Sequence, residues 1–419
     1  MPTRQELQQL QSLPLAVKIR KTIQRIKEWV DHFGIDGVYV SFSGGKDSTV
    51  LLHIVRQLYP NMKAAYVDTG LENPEIREFV RQYENVDWLK PKKNFKQVIL
   101  EYGYPLISKE VAECVSGARK YLTKVRELYP ELLTDIQTDS GCRIATGRKS
   151  LLELADMQAL RAMTPGGGQI TNIENSPELA NILNDRSIKG KRTRTALLLG
   201  MMDKDNQIRT AESIPEKDRS MFAQTKYKFF LEAPFEISTQ CCNILKKSPA
   251  HRYERKTKRM PITAQTAAES RLRTQKWLNN GCNGFNMKAP ISNPMSFWTE
   301  QDILWYIRLH NLPICSVYGD ILTDEEEESG ERIYFDYETI MNAGLFERPA
   351  LHTTGCKRTG CMFCLFGAHL ERDFYRLQYV HENYPNIYDW IMKPVGEGGL
   401  GYKDVIDWTN EHGNLHIKY

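Results

Sequence analysis

The chain has 419 residues, 41% hydrophobic and 26% charged, with 56 lysines and arginines against 52 acids and a net charge of +4. That length suits two or three domains, or one large domain with insertions, and the composition excludes disorder, collagen or coiled coil as a description of the whole. No run of about 18 apolar residues argues for a membrane span, the first residues lack the apolar core of a signal peptide, and a cytoplasmic location is expected.

Taken in chain order, apolar residues at Leu15, Val17, Ile19, Ile23, Ile26 and Val30 have helical spacing. Gly34 and Gly37 then break the pattern. Val38 to Phe42 reads as a buried strand, Ser43 to Asp47 as a tight loop, Ser48 to Leu58 as an apolar helix and Ala64 to Val67 as a second strand, with Pro74 in the first turn of the next helix. Strand, crossover helix and strand predict a parallel sheet with a right-handed connection. The fold class is therefore α/β, a doubly wound parallel sheet whose ligands sit beyond the carboxyl ends of its strands.

Residues 1–110 form the N-terminal half of this domain and 111–228 a helical insertion, with a mobile loop at Pro165-Gly166-Gly167-Gly168 and a solvated basic run from Arg186 to Arg194. Residues 229–330 complete the α/β domain, helical again from Thr299 to Leu309. Residues 331–419 are a cysteine-rich part, irregular until Arg372, and a tail. Charge is uneven: nine basic and two acidic side chains lie between Lys246 and Arg273, whereas Asp324 to Glu328 is an acidic run expected in a solvated loop.

The loop Ser43-Gly44-Gly45-Lys46-Asp47-Ser48 joins a strand to a helix. Two glycines let backbone amides turn inward, the helix start adds partial positive charge, and Lys46 and Ser48 add donors. The result is a phosphate cradle. It is neither the P-loop, which needs a glycine at Val40 and a hydroxyl residue at Asp47, nor the G-x-G-x-x-G of dinucleotide binding.

Ser41 to Ser48 resembles the pyrophosphate-binding loop of the adenine-nucleotide α-hydrolases, the PP-loop superfamily that includes ATP pyrophosphatases and phosphoadenosine phosphosulfate (PAPS) reductases. Further segments resemble the PAPS-reductase-like, iron–sulfur branch: Asp68-Thr69-Gly70 before Pro74, Cys241-Cys242-x-x-x-Lys246, Asn293-Pro294-Met295-Ser296-Phe297-Trp298-Thr299, Ile303 to Ile307 with Leu312-Pro313, and Gly360-Cys361-x-x-Cys364. The likeness covers roughly residues 20 to 110 and 229 to 370. It implies nucleotide contacts from Ser43, Gly44, Gly45, Lys46, Asp47, Ser48, Asp68, Thr69 and Gly70. Lys46, Lys246 and Arg271 are the expected catalytic residues, facing the phosphates or the anionic end of the nucleotide, and Asp47 or Asp68 is the expected holder of a Mg²⁺.

Nine cysteines without secretory context fit a disulfide framework poorly. Cys-Cys plus Cys-x-x-Cys supplies four thiolates, enough for a tetrahedral ion or a [4Fe–4S] cluster. The resemblance implies a [4Fe–4S] cluster on Cys241, Cys242, Cys361 and Cys364. The alternative is zinc on Cys356, Cys361 and Cys364 with His352. Cys282 and Cys356 are spare thiols, and Cys114, Cys142 and Cys315 read as core.

Two departures bear on activity. The reductases' arginine pair falls on Thr266 and Ala267, with Arg271 and Arg273 as substitutes. Their cysteine-bearing tail is matched here by Glu411 to Tyr419, which holds no thiol. The leading expectation is thus an enzyme that cleaves ATP between its α- and β-phosphates, forming an adenylate and releasing pyrophosphate in sulfur-transfer chemistry. The alternatives are a PAPS or adenylyl-sulfate reductase using Cys282 or Cys356, and a non-catalytic nucleotide-binding module with structural zinc. Expected partners are an adenine nucleotide, a sulfur donor or thioredoxin-like reductant, and a second copy in a homo-oligomer. Similarity to sulfur-handling enzymes of DNA phosphorothioation adds a nucleic-acid acceptor at Lys247 to Arg259. No membrane is involved.

Overall fold

The computed structural model describes residues 2–128, 134–139, 142–148, 186–207, 214–372 and 374–419. The glycine-rich loop expected at Pro165 to Gly168 lies outside them. The chain opens with helices α1 (Arg4–Ser12) and α2 (Leu15–Phe33), followed by strand β1 (Val38–Ser41), α3 (Lys46–Leu58), β2 (Ala64–Val67), α4 (Pro74–Arg81) and β3 (Val86–Leu89). Next come α5 (Phe95–Tyr102), β4 (Leu106–Ile107), α6 (Lys109–Leu128), β5 (Thr134–Asp139) and β6 (Cys142–Arg148). The later strands are β7 (Met260–Ile262), β8 (Asn283–Gly284), β9 (Ile291–Ser292), β10 (Ile321–Leu322), β11 (His352–Thr353) and β12 (Leu365–Phe366). The chain divides into two compact units, Met1–Phe95 with Cys242–Met362, and Lys96–Cys241 with Phe363–Tyr419.

The first unit holds a six-stranded sheet in the order β3-β2-β1-β7-β9-β8. Strands β1, β2, β3, β7 and β9 run parallel, and only the edge strand β8 is antiparallel, against β9. Val40 aligns with Ala64 on one side and Ile262 on the other. The mixed α/β architecture with a mainly parallel sheet is the one expected. Strand β1 reads as a continuous apolar run because both its faces are covered, leaving Val38, Tyr39 and Val40 buried. From β1 the chain crosses through α3 to β2, whereas β7 lies on the other flank. That reversal opens a crevice at the carboxyl ends of β1 and β7.

Helix Glu300–Leu309 is anchored by charge as well as by apolar packing. Thr299 and Asp302 form its capping box. Asp302 is fully buried, and its carboxylate accepts from Lys18 Nζ and Arg348 Nη2, each at 2.6 Å. The acidic run is not a solvated loop. Asp324–Ser329 is helical, capped by Thr323, and Glu326 is buried in a bidentate pair with Arg308. The Arg308 guanidinium pulls the Glu326 carboxyl down to about 2. The stretch expected to be irregular also holds the helix Tyr337–Asn342.

In the second unit, α6 packs beside the helix Arg186–Leu199. Strands β5 and β6 pair antiparallel, so the region read as helical contains strand as well. Buried Arg119 donates to the carbonyls of Phe230, Ala233 and Phe235, bracing the loop that follows. Strand β12 pairs parallel with β4. The tail folds back onto helix Tyr402–Gly413, with Leu415 and Ile417 buried. No helix among the described residues is long and apolar enough to cross a membrane.

Candidate functional site

The site grows from the turn between β1 and α3. Gly44 has φ +73°, and a Cβ there would stand 2.8 Å from Val80 and 2.9 Å from Ile76, so glycine is required both by backbone conformation and by the close approach of α4. Gly45 caps α3 without a side chain. The Ser43 hydroxyl accepts from the Gly45 amide at 3.3 Å and lies 3.0 Å from the Ser48 hydroxyl. The Lys46 amide donates to the Tyr318 hydroxyl at 3.1 Å. The Asp47 amide faces its own carboxyl, and the Ser48 amide remains as a donor of a first turn with no side-chain cap, where the helix dipole favours an anion.

This turn is one wall of a cavity of about 490 Å³ lined by Ser43, Gly45, Lys46, Asp47 and Ser48, and opposite them by Thr263 to Thr266, Glu269, Arg273, Glu300, Tyr318, Arg358 and Thr359. Three cations and three carboxylates therefore share the lining. Lys46 pairs with Glu300 at 3.0 Å and donates to the Lys357 carbonyl at 2.6 Å. Arg273 pairs with Glu269. Burial pushes the Asp47 carboxyl above the usual range, only partly countered by Lys46. Burial also pushes the Tyr318 phenol up to about 12, so it remains a neutral donor to Thr359 or an acceptor from Lys46.

A second cavity, of about 340 Å³, shares Ser41, Ser43, Thr263, Gln265 and Thr359 with the first and continues past Tyr66, Val67, Glu72, Lys246, Lys247 and Gly360. The Tyr66 hydroxyl is buried without a hydrogen-bond partner among the described residues, a group that an occupant of the cavity would satisfy. Lys246 comes from a helical turn of π type, Cys242–Lys247, a local widening that re-aims side chains. Its ammonium lies 3.8 Å from Glu72. Burial alone would lower its proton affinity, but Cys361, Glu72 and Cys242 outweigh that and hold it above the ordinary lysine range.

The structure thus gathers Ser43, Gly45, Lys46, Asp47 and Ser48 with Arg273, and sets Lys246 in the adjoining cavity. It places other expected residues elsewhere. Asp68 accepts from Arg77 at 3.0 Å and from the Gly70 amide, and Thr69 donates to Glu72. None of Asp68, Thr69 and Gly70 lines either cavity. Arg271 is exposed, and it is Arg273 that reaches the lining. Tyr318, Arg358, Glu300, Glu269 and Glu72 were not singled out from sequence. Glu300 directly follows the Asn293-to-Thr299 segment and Arg358 just precedes Gly360-Cys361, and that adjacency is the signal that marks these two in the sequence.

Among the described residues no group of three or more His, Cys, Asp or Glu side chains is placed to hold a metal ion. Cys242 and Cys361 belong to the first unit, Cys241 and Cys364 to the second. His352, the fourth zinc donor considered, has its ring nitrogens on Glu327 at 2.8 Å and Asp324 at 3.1 Å. Cys114, Cys315 and Cys356 are buried, and the Cys142 side chain lies outside the described residues.

Compared with known families, the chain matches the model of the phosphoadenosine phosphosulfate reductase domain over residues 37–139 and 201–365. The matched stretches carry every residue of both cavities.

Proposed function

The chain belongs to the phosphoadenosine phosphosulfate reductase family, enzymes of sulfur metabolism that bind nucleotides, and from that premise we propose that it cleaves ATP between the α- and β-phosphates. The observation that carries this reading is the cradle at the start of α3: a glycine turn at φ +73°, an uncapped first turn and Lys46 in the same wall. An acceptor oxygen or sulfur attacks the α-phosphorus, the bridging bond to the β-phosphate breaks, and pyrophosphate leaves. Little covalent chemistry is asked of the protein. Amide donors, Lys46 and Arg273 stabilise the charge that builds on the leaving group. Asp47, the lining carboxylate that is not in an ion pair with Lys46 or Arg273, would be the one to hold a Mg²⁺ accompanying the phosphates, whose charge would offset the burial of the carboxyl.

ATP is favoured over a sulfonucleotide by the positions where the reductases' arginine pair falls. Thr266 and Ala267 are buried, and Thr266 is bound into a capping box with Glu269. Neither supplies a cation. Lys46→Ala should lose at least about 100-fold in pyrophosphate release from ATP; undiminished turnover would remove the loop from the mechanism.

One observation supports a reductase reading. Cys282, which accepts a hydrogen bond from Ser296 at 3.3 Å, lines a small recess that shares Gln265, Thr266 and Arg273 with the main cavity. Its thiolate would attack the sulfur of a sulfonucleotide, breaking the sulfur–oxygen bond to the departing nucleotide phosphate, and a thioredoxin-like dithiol would then release sulfite from the enzyme thiosulfonate as it is oxidised to a disulfide. Sulfite from PAPS or adenylyl sulfate, abolished by Cys282→Ser, would replace the ATP reading with this one. A nucleic-acid acceptor is supported by exposed Arg255, Lys256 and Lys258 on and after helix Ser248–Thr257, whereas Arg252 and Arg259 are spent on the carbonyls of Lys90 and Asp36.

A further inference from the structure

Lys46 is the least exposed cation of the cavity, with its side chain 3% accessible, yet its charge is already answered. Its ammonium touches the Glu300 carboxylate at 3.0 Å and the Lys357 carbonyl at 2.6 Å. A phosphate oxygen arriving here must share the cation with a carboxylate, which like-charge repulsion opposes, or take the carboxylate's place. The two acids beside the cavity's cations differ in which course they allow. Glu269 accepts from the Thr266 amide and hydroxyl as well as pairing with Arg273, so it is held from two sides. The Glu300 side chain is 50% exposed, and Lys46 is the partner the structure gives it.

Glu300 is also built to leave at little cost. It is the first residue of its helix after the Thr299 cap, where the dipole favours an anion whether or not Lys46 is in reach. Its backbone is fixed two residues on by Asp302, buried between Lys18 and Arg348, so a side-chain rotation suffices and the helix need not move. The Lys357 carbonyl is neutral and can stay, keeping Lys46 aimed. We infer that Glu300 is a displaceable counter-anion, which holds Lys46 in the cavity wall and is exchanged for a phosphate oxygen when a polyphosphate enters. The same exchange run backwards returns Glu300 to Lys46 and helps expel pyrophosphate after cleavage.

This inference rests on the cradle reading proposed for the loop, and titration calorimetry of the full chain with inorganic pyrophosphate separates the two. Glu300→Gln removes the competing charge and keeps the shape, so it should bind pyrophosphate about tenfold more tightly than the wild type. Glu300→Asp, too short to hold the contact, should tighten binding by a smaller factor, and both variants should melt within about 2 °C of the wild type. Lys46→Ala should abolish binding. Unchanged or weaker binding by both Glu300 variants, with Lys46→Ala still abolishing it, overturns the counter-anion and leaves the cradle standing. Wild-type chain that ignores pyrophosphate, or binding that survives Lys46→Ala, overturns the cradle and the counter-anion together.

Discussion

Asp302→Asn should be among the most damaging near-isosteric changes in the first unit. Asp302 has no solvent exposure, and both cations it binds are buried with it. Asparagine keeps the side chain's size and can still accept one hydrogen bond, but its amide must then face the second cation. Lys18 would retain the Gln11 carbonyl at 2.5 Å. Arg348 would fare worse, because its Nε and Nη1 already lack partners among the described residues and its Nη2 bond goes to Asp302. Burial already lowers the proton affinity of Lys18, opposed mainly by Asp302, so removing the carboxylate pushes it further the same way. Stranding one partner of a buried ion pair costs about 3–5 kcal/mol. With a urea m-value of about 2–3 kcal/mol/M, the unfolding midpoint should fall by about 1–2.5 M at unchanged m. The measurement is urea denaturation followed by circular dichroism on the full chain. A shift under about 0.3 M would show that solvent relieves the charges, and that this triad does not hold the start of helix Glu300–Leu309.

Three other outcomes can be checked independently. Glu326 has its carboxyl depressed to about 2 from 4.5, so its contribution is present above pH 4.5 and is lost as pH falls toward 2. The wild type should therefore exceed Glu326→Gln by about 3 kcal/mol at pH 7 and by almost nothing near pH 2, read from denaturation curves along the pH series. Gly44→Ala meets both a positive φ and methyl groups under 3 Å away. A loss of about 2–5 kcal/mol is expected, and a variant as stable as the wild type would mean that α4 gives way. If Cys241, Cys242, Cys361 and Cys364 hold a [4Fe–4S] cluster, anaerobically prepared chain should carry about four iron per molecule, with Cys361→Ser or Cys241→Ser lowering it sharply; zinc or no metal on elemental analysis refutes that ligand set.

What could be read in advance was local. The buried run Val38 to Val40, the glycines after it, Pro74 at a first turn and Thr299 before a helix each carry their structural meaning within a few residues. What could not be read depended on the phase of a helix or on a partner far along the chain. Arg271 and Arg273 look interchangeable as text. Ser270 caps their helix, however, so they point about 200° apart, and only Arg273 stands four residues from Glu269 and reaches the cavity. His352 sits at zinc-like spacing from Cys356, but β11 pairs with β10, aligning His352 with Leu322 and bringing it against Asp324 and Glu327. The acidic run departs from a solvated loop for a different reason. Thr323-x-x-Glu326 is a capping box in plain view, and the density of charge around it hid the one carboxylate that is buried.

The same distinction governs how the cavity binds. Counted from motifs, the loop offers a lysine and nearby arginines to a polyphosphate, which suggests strong attraction. Counted in the fold, Lys46 carries Glu300 and Arg273 carries Glu269, and with Arg358 and Asp47 the lining balances three cations against three carboxylates. Attraction from a distance is then weak, and at Lys46 and Arg273 affinity is the difference between a phosphate oxygen and the carboxylate already there. The Gly45 and Lys46 amides are held only by neutral hydroxyls, of Ser43 and Tyr318, which yield to a phosphate oxygen without loss of a charge pair. Amides and lysine then act together: the amides fix where linked phosphates sit, Lys46 supplies the charge without which they do not bind, and Gly44, whose φ of +73° makes the turn, tolerates no side chain.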